Sequence, residues 1–192
     1  MPVKVLAFAG SLRKESYNKK LVKIAAAAAR AAGAEVTLLD LKELPLPVFD
    51  EDLEAQGTPE NARKLKALMI EQDGFLIAAP EYNSSITGAL KNAIDWASRP
   101  SPGEAPFALP AFRGKVATLM AASPGALGGL RGLVTVRSIL GNIGVIVLPD
   151  QVAVVRAFEA FADDGSLKDA KLQASVEALG RGLAEVLKKL KG

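Results

Sequence analysis

Short apolar runs alternate five times with longer stretches of helical periodicity, and this alternation constrains the fold more than any other feature of the chain. Residues 3–9 form an apolar run ended by Gly10, the pattern of a strand buried on both faces of a parallel sheet. A polar loop follows, then a helix through Leu21, Ile24 and an alanine run to Ala32, with Gly33 as its stop. Residues 35–40 read as a second strand. The connector 41–57 carries two prolines and several acids. Thr58-Pro59 then reads as a helix start, Thr58 as N-cap and Pro59 as first helical residue, with Leu65, Leu68 and Met69 as the apolar stripe.

The second half repeats the pattern. Residues 75–79 read as a third strand stopped by Pro80, and a helix is expected over 87–98. The next loop holds Pro100, Pro102, Pro106 and Pro110, so it should be irregular but stiff. A fourth strand is expected at 115–121, a helix at 129–143, and a fifth strand at 145–148 with an extension through 152–155. The final helix is the clearest, since Leu172, Val176, Leu179, Leu183, Val186, Leu187 and Leu190 keep helical spacing. With no internal repeat and no linker, residues 1–192 read as one α/β domain: a parallel sheet with helices on both faces. In such sheets ligands bind beyond the carboxyl ends of the strands, near a topological switch point.

Composition removes whole classes of chemistry. The chain has no Cys and no His, which excludes disulfides, a thiol nucleophile, a Cys/His zinc site, a Ser-His-Asp triad and a histidine proton shuttle. An enzyme of this composition draws its reactivity from a cofactor. The net charge of +3 comes from lysines and arginines spread over three helices, at 19, 20 and 23, at 63, 64 and 66, and at 188, 189 and 191. Alternating with apolar residues, these read as solvated helix faces rather than a nucleic-acid footprint. No apolar stretch approaches the ~20 residues that cross a bilayer, and the start of the chain lacks signal-peptide architecture; the protein reads as cytoplasmic, with no membrane partner.

Three loops at strand ends carry the chemistry. The first, Gly10-Ser11-Leu12-Arg13-Lys14-Glu15-Ser16-Tyr17-Asn18, opens a helix, where unpaired N–H groups and a partial positive charge suit a phosphate. Ser11 and Ser16 add hydroxyls, Asn18 an amide and Arg13 a forked cation. It is neither a Walker A loop nor a Gly-x-Gly-x-x-Gly turn. The plainer reading is a helix start with Ser16 as N-cap, but one cap does not need two serines, an arginine and an asparagine together. The second loop, Pro80-Glu81-Tyr82-Asn83-Ser84-Ser85, offers an aromatic ring and amides to a flat heterocycle, or else is a turn capping the next helix. Asp95, further along, reads as a packing or interface residue rather than an acid or base. The third loop, 122–132, has four glycines that let backbone approach a ligand or simply make a flexible turn.

Together, Gly-Ser-Leu-Arg-x-x-Ser-x-Asn at 10–18, Pro-Glu-Tyr-Asn at 80–83 and Gly-Ala-Leu-Lys-Asn-Ala-Ile-Asp-Trp at 88–96 resemble the NADPH-dependent FMN reductase family, with its quinone-, chromate- and azo-reducing members. The resemblance implies a flavodoxin-like three-layer sandwich, α/β, with a five-stranded parallel sheet of order 2-1-3-4-5. It implies that Ser11, Arg13, Ser16 and Asn18 bind the FMN phosphate and ribityl chain. Pro80, Glu81, Tyr82 and Asn83 would lie along the isoalloxazine, mostly through backbone, with donors near Tyr82 and Asn83 stabilising the anionic reduced ring. Ser123 and Gly125 resemble the family's third flavin-contacting loop. A hydride from NADPH or NADH would pass through flavin N5 to a small-molecule acceptor (a quinone, an azo compound, a metal oxyanion such as chromate, or free flavin) in ping-pong fashion. A homodimer or homotetramer is implied, with the helix after Gly88 at a subunit interface; the match is loosest over 100–110. A flavodoxin-type electron carrier without catalytic activity, and a flavin-free doubly wound domain, are the alternatives.

Overall fold

The apolar runs at 3–9, 75–79 and 115–121 have no continuous polar face to present to water, and apart from Lys4 and Lys115 at their starts the structure buries them on both sides. A computed structural model describes residues 1–192. Its sheet is built from β1 (Lys4–Ala9), β2 (Glu35–Asp40), β3 (Gly74–Ala78), β6 (Val116–Ala122) and β7 (Ile146–Val154). The order is β2-β1-β3-β6-β7 and every neighbouring pair is parallel. β4 (Glu81–Tyr82) and β5 (Ser85–Ile86) form a separate antiparallel hairpin. Counting the sheet's own strands, this is the 2-1-3-4-5 arrangement of the flavodoxin-like three-layer sandwich. The edge strands β2 and β7 keep exposed positions, whereas β3 and β6 are buried throughout.

Strand alternation sorts the core into two layers. Val5, Ala7, Leu76, Val116 and Met120 face α1 (Tyr17–Ala31) and α7 (Ala170–Lys191). Leu6, Phe8, Phe75, Ile77 and Leu119 face the other layer, made by α3 (Glu60–Ile70), α4 (Gly88–Ser98) and α5 (Leu130–Asn142). The alanine run of α1 has a packing reason. Ala25 and Ala29 let α7 approach so closely that a methyl group on Gly180 would overlap the Ala25 carbonyl. No helix is long and apolar enough to cross a membrane.

Several elements differ from the sequence reading. The third helix begins at Glu60, with Pro59 at the N-cap and no side-chain cap, so Thr58 does not cap it. Terminal assignments of this kind shift by a residue with small changes in backbone geometry. The 41–57 connector contains a 3₁₀ turn at Leu41–Glu43 and a short helix, α2 (Glu51–Ala55), whose N-cap Asp50 accepts from Asp52 N and Leu53 N. The fifth strand runs unbroken through Pro149, with two extra residues bulged out: Ala117 pairs with Val147 but Leu119 with Gln151. Arg137 donates to the carbonyls of Val147 and Leu148 and to the Gln151 side chain across that bulge.

Lys66 also departs from expectation. It is not on a solvated face but 6% exposed, its ammonium bonded to the Arg99 carbonyl, Ser101 Oγ and the Glu104 carboxylate. A buried cation with three oxygen partners is satisfied, and it ties down the start of the proline-rich loop. α6 (Ala157–Ala160) follows β7.

The α1–α7 contact yields a paired prediction. Gly180→Ala should destabilise the protein by about 1–3 kcal/mol, because overpacking against rigid backbone outweighs helix propensity. Gly182→Ala, two residues on in the same helix with open space around it, should stabilise by about 0.5–1 kcal/mol. Urea unfolding of both variants reads the opposite signs.

Candidate functional site

The carboxyl ends of β1, β3 and β6 are neighbours, so the three loops leaving them meet. They enclose a cleft lined by Ser11, Arg13, Ser16, Tyr17, Asn18, Pro80, Glu81, Tyr82, Ala122, Ser123 and Pro124. Eight of the ten expected site residues therefore come together; Asn83 and Gly125 are on the same loops but do not line the cleft. Wider clefts lie beside Lys14, Lys19 and Asp40 and between α1 and α7, and neither gathers the three loops.

The first loop is a cradle of unpaired donors. The backbone N–H groups of Ser11, Leu12, Lys14, Glu15, Ser16, Tyr17 and Asn18 have no hydrogen-bond partner within the protein. Ser16 sits at the N-cap of α1 but makes no side-chain cap bond, and the first turn holds no acid. The capping role is thus unfilled, and the positive end of the helix dipole is open. Ser11 and Ser16 are both buried. Arg13 donates to the Glu15 carbonyl and lies over the Tyr17 ring at 5.6 Å, exposed at the rim. Gly10 is required here by close approach, since an added Cβ would come within 2.8 Å of Leu90 Cβ on α4. Thr87 Oγ, capping α4 through Leu90 N, also donates to the Gly10 carbonyl and ties the loop to that helix.

Asn18 makes a contact that its residue type did not suggest. Its Nδ2 donates to the Ala122 carbonyl at 2.7 Å and its Oδ1 accepts from Ala122 N at 2.9 Å. Side chain thus replaces backbone in pairing the last residue of β6, bolting the start of α1 to the third loop. The amide serves this contact first, with one N–H left over.

The second loop is a two-residue hairpin, which the sequence reading missed. Asn83 and Ser84 carry φ of 50° and 66°, the double left-handed turn that suits tight antiparallel connections and tolerates Asn. Tyr82 is 58% exposed beside the cleft, and the amides of Asn83 and Ser84 have no backbone partner. Glu81 points the other way. Its Oε2 accepts from Arg131 N at 3.0 Å and Gly132 N at 3.2 Å, and its Oε1 from Arg131 Nε at 2.8 Å. The carboxylate caps α5 from outside the helix. Burial pushes its pKa up, but the Arg131 bond, the Gly132 amide, the Arg131 charge and the Arg131 amide together hold it below the ordinary glutamate range. It is an ionised acceptor and not a proton donor.

The third loop bends on Gly128 and Gly129, whose φ values are positive. Ser123 accepts from Gly125 N, folding the loop on itself. Asp95 lies outside the cleft in an i,i+4 pair with Lys91. The 100–110 loop runs from the far end of α4 to the start of β6, at the opposite edge of the sheet from the cleft. Residue types alone did not reveal Thr87 or Arg131; a Thr before a helical run was the one signal for the former.

An open helix N-terminus, two buried serines and a rim arginine, set beyond the carboxyl edge of a doubly wound sheet, define a flavodoxin-like protein whose cleft suits a phosphate-bearing cofactor. The family model described as NADPH-dependent FMN reductase matches residues 3–159, and the chain belongs to that family. An NAD(P)H:quinone oxidoreductase of Solanum tuberosum is 36% identical over 99% of this chain and 95% of its own length. An NAD(P)H-dependent FMN reductase of Pseudomonas aeruginosa is 35% identical over 99% of this chain and 98% of its own. The solved structure of FerB, a flavoenzyme NAD(P)H:(acceptor) oxidoreductase from Paracoccus denitrificans, superposes with a TM-score of 0.80 at 32% identity, covering 97% of this chain and 98% of that one. The protein is accordingly an FMN-dependent oxidoreductase drawing on NAD(P)H, and the unpartnered donors at α1 fit the FMN phosphate.

Because Asn18 pairs both backbone groups of Ala122, Asn18→Ala should destabilise the apoprotein by about 2 kcal/mol. Thermal and urea unfolding without cofactor measure this; a residue that served only a phosphate would leave apoprotein stability unchanged.

Proposed function

We propose that the chain is an NAD(P)H:quinone oxidoreductase, with azo compounds, metal oxyanions such as chromate, and free flavin as further acceptors. The observation that carries this reading is the set of unpartnered amides at Ser11, Leu12 and residues 14–18 at the open end of α1, across the cleft from Tyr82 and Ser123. In support, the relatives from Solanum tuberosum and from Pseudomonas putida are named as quinone reductases. The reading takes residues 1–192 as one FMN-binding domain and includes a cytoplasmic location.

In this reading Ser11, Ser16, the loop amides and Arg13 hold the phosphate, Asn18 keeps the cradle seated on β6, and Ser123 and Gly125 close the third side. Pro80, Tyr82 and Asn83 flank the ring, and Glu81 fixes their hairpin from behind. FMN held there would supply the redox chemistry between NAD(P)H and the acceptor. The chain's own contribution is binding and orientation, because its cleft carboxylate is ionised and committed to α5.

The reading extends to a homodimer or homotetramer. An apolar groove lined by Leu12, Leu41, Leu44, Leu46, Ala89 and Ala93 joins the phosphate loop to α4. The connector flanking it is strapped to α4: Asn92 Nδ2 and Trp96 Nε1 both donate to the Pro47 carbonyl. A second copy seated there would stand beside the cofactor.

Three measurements test these statements. Anaerobic reduction of the FMN-loaded protein by NADPH or NADH, followed by a quinone, should give sustained turnover with parallel-line kinetics; a pure electron carrier would show almost none. Arg13→Ala should weaken FMN binding about 10–100-fold in fluorescence titration, with the fold intact, as expected for one charge-assisted phosphate contact. Ala89→Glu should shift the protein toward monomer in light scattering after size-exclusion chromatography without lowering its helix content.

A further inference from the structure

Among the helices that begin at the carboxyl edge of the sheet, α1 and α5 end their first turns differently. α1 presents free amides to the cleft. α5 is closed by a carboxylate from another loop: the Glu81 side chain, 8% exposed, accepts from two first-turn amides and pairs with Arg131 at 2.6 Å. The fit is built into the backbone. A Cβ on Gly132 would stand 3.3 Å from both Glu81 Cβ and the Ser85 carbonyl, and one on Gly129 would stand 2.7 Å from Ala121 Cβ at a φ of 96°. Gly132 lets α5 close onto the hairpin that carries Tyr82, and Gly129 lets the start of α5 close onto β6.

We propose that Glu81 is a positioning residue for FMN, holding the hairpin in place and, with Arg131, setting the charge beside the ring and hence the preference for reduced over oxidised cofactor. The inference rests on the FMN reading above. A helix N-terminus carries roughly half a positive charge and Arg131 a full one, against the single negative charge of Glu81. The intact set is therefore mildly positive toward a reduced ring that bears negative charge. Losing Glu81 makes it strongly positive, and losing Arg131 makes it slightly negative.

The test is a set of three variants, Glu81→Gln, Arg131→Gln and the double change, each loaded with FMN. Dissociation constants for oxidised and reduced FMN, and the midpoint potential, are the readouts, with circular dichroism confirming the fold. Glu81→Gln should favour reduced FMN about tenfold more than wild type, a rise of about 30 mV for a two-electron couple. Arg131→Gln should shift the ratio about as far the other way, and the double variant should return near wild type. Shifts of the same sign, or equal weakening of both redox forms, overturn the proposal, because a merely structural clamp would produce them. If Glu81→Gln fails to fold, Arg131→Gln decides by its sign, since the two amides still hold the carboxylate there. A wild-type chain that binds no FMN overturns the functional reading and this proposal with it. Wild-type binding with unmoved potentials overturns this proposal alone.

Discussion

A parallel strand whose two faces are both apolar has to be covered on both sides, and from this requirement most of the molecule follows. Covering both faces demands a helical crossover between successive sheet strands, and right-handed crossovers return each strand in the same direction. All sheet strands then discharge their chain at one edge. The reversal of strand order about β1 separates the loops after β1 and β3, leaving a space between crossovers that leave to opposite sides. The cleft is thus a consequence of topology before any residue in it is chosen.

What the residues decide is how the free helix ends at that edge are used. Backbone N–H groups at a helix start need partners. α5 finds them in Glu81, while α1 leaves them for a ligand. The difference turns on small facts: no acid in the first turn of α1, a serine at its N-cap that does not bond back, and a glycine at 132 in α5 that admits the neighbouring Glu81. One helix end is left open and the other is a joint.

The succession of strands and helices along the chain was legible because periodicity is local, and so was the 10–18 loop as a helix start with hydroxyls beside it. Features that depend on distant partners were not. Asn18 meets Ala122 across 104 residues and Glu81 meets Arg131 across 50, and neither residue type announces such a partner. Lys66 looked like one charge in a solvated cluster because nothing local marks the Arg99 carbonyl as its acceptor. The hairpin was hidden for another reason: Asn83-Ser84 lacks the glycine that usually signals a double left-handed turn.

The bolt between Asn18 and Ala122 joins groups that belong to the protein alone, so it is in place before any cofactor arrives. Under the proposed function, the flavin nucleotide would meet a loop whose junction with α1 is already fixed to β6. A chain built this way would keep the junction between α1 and β6 in shape while empty and would not need to refold it on loading cofactor.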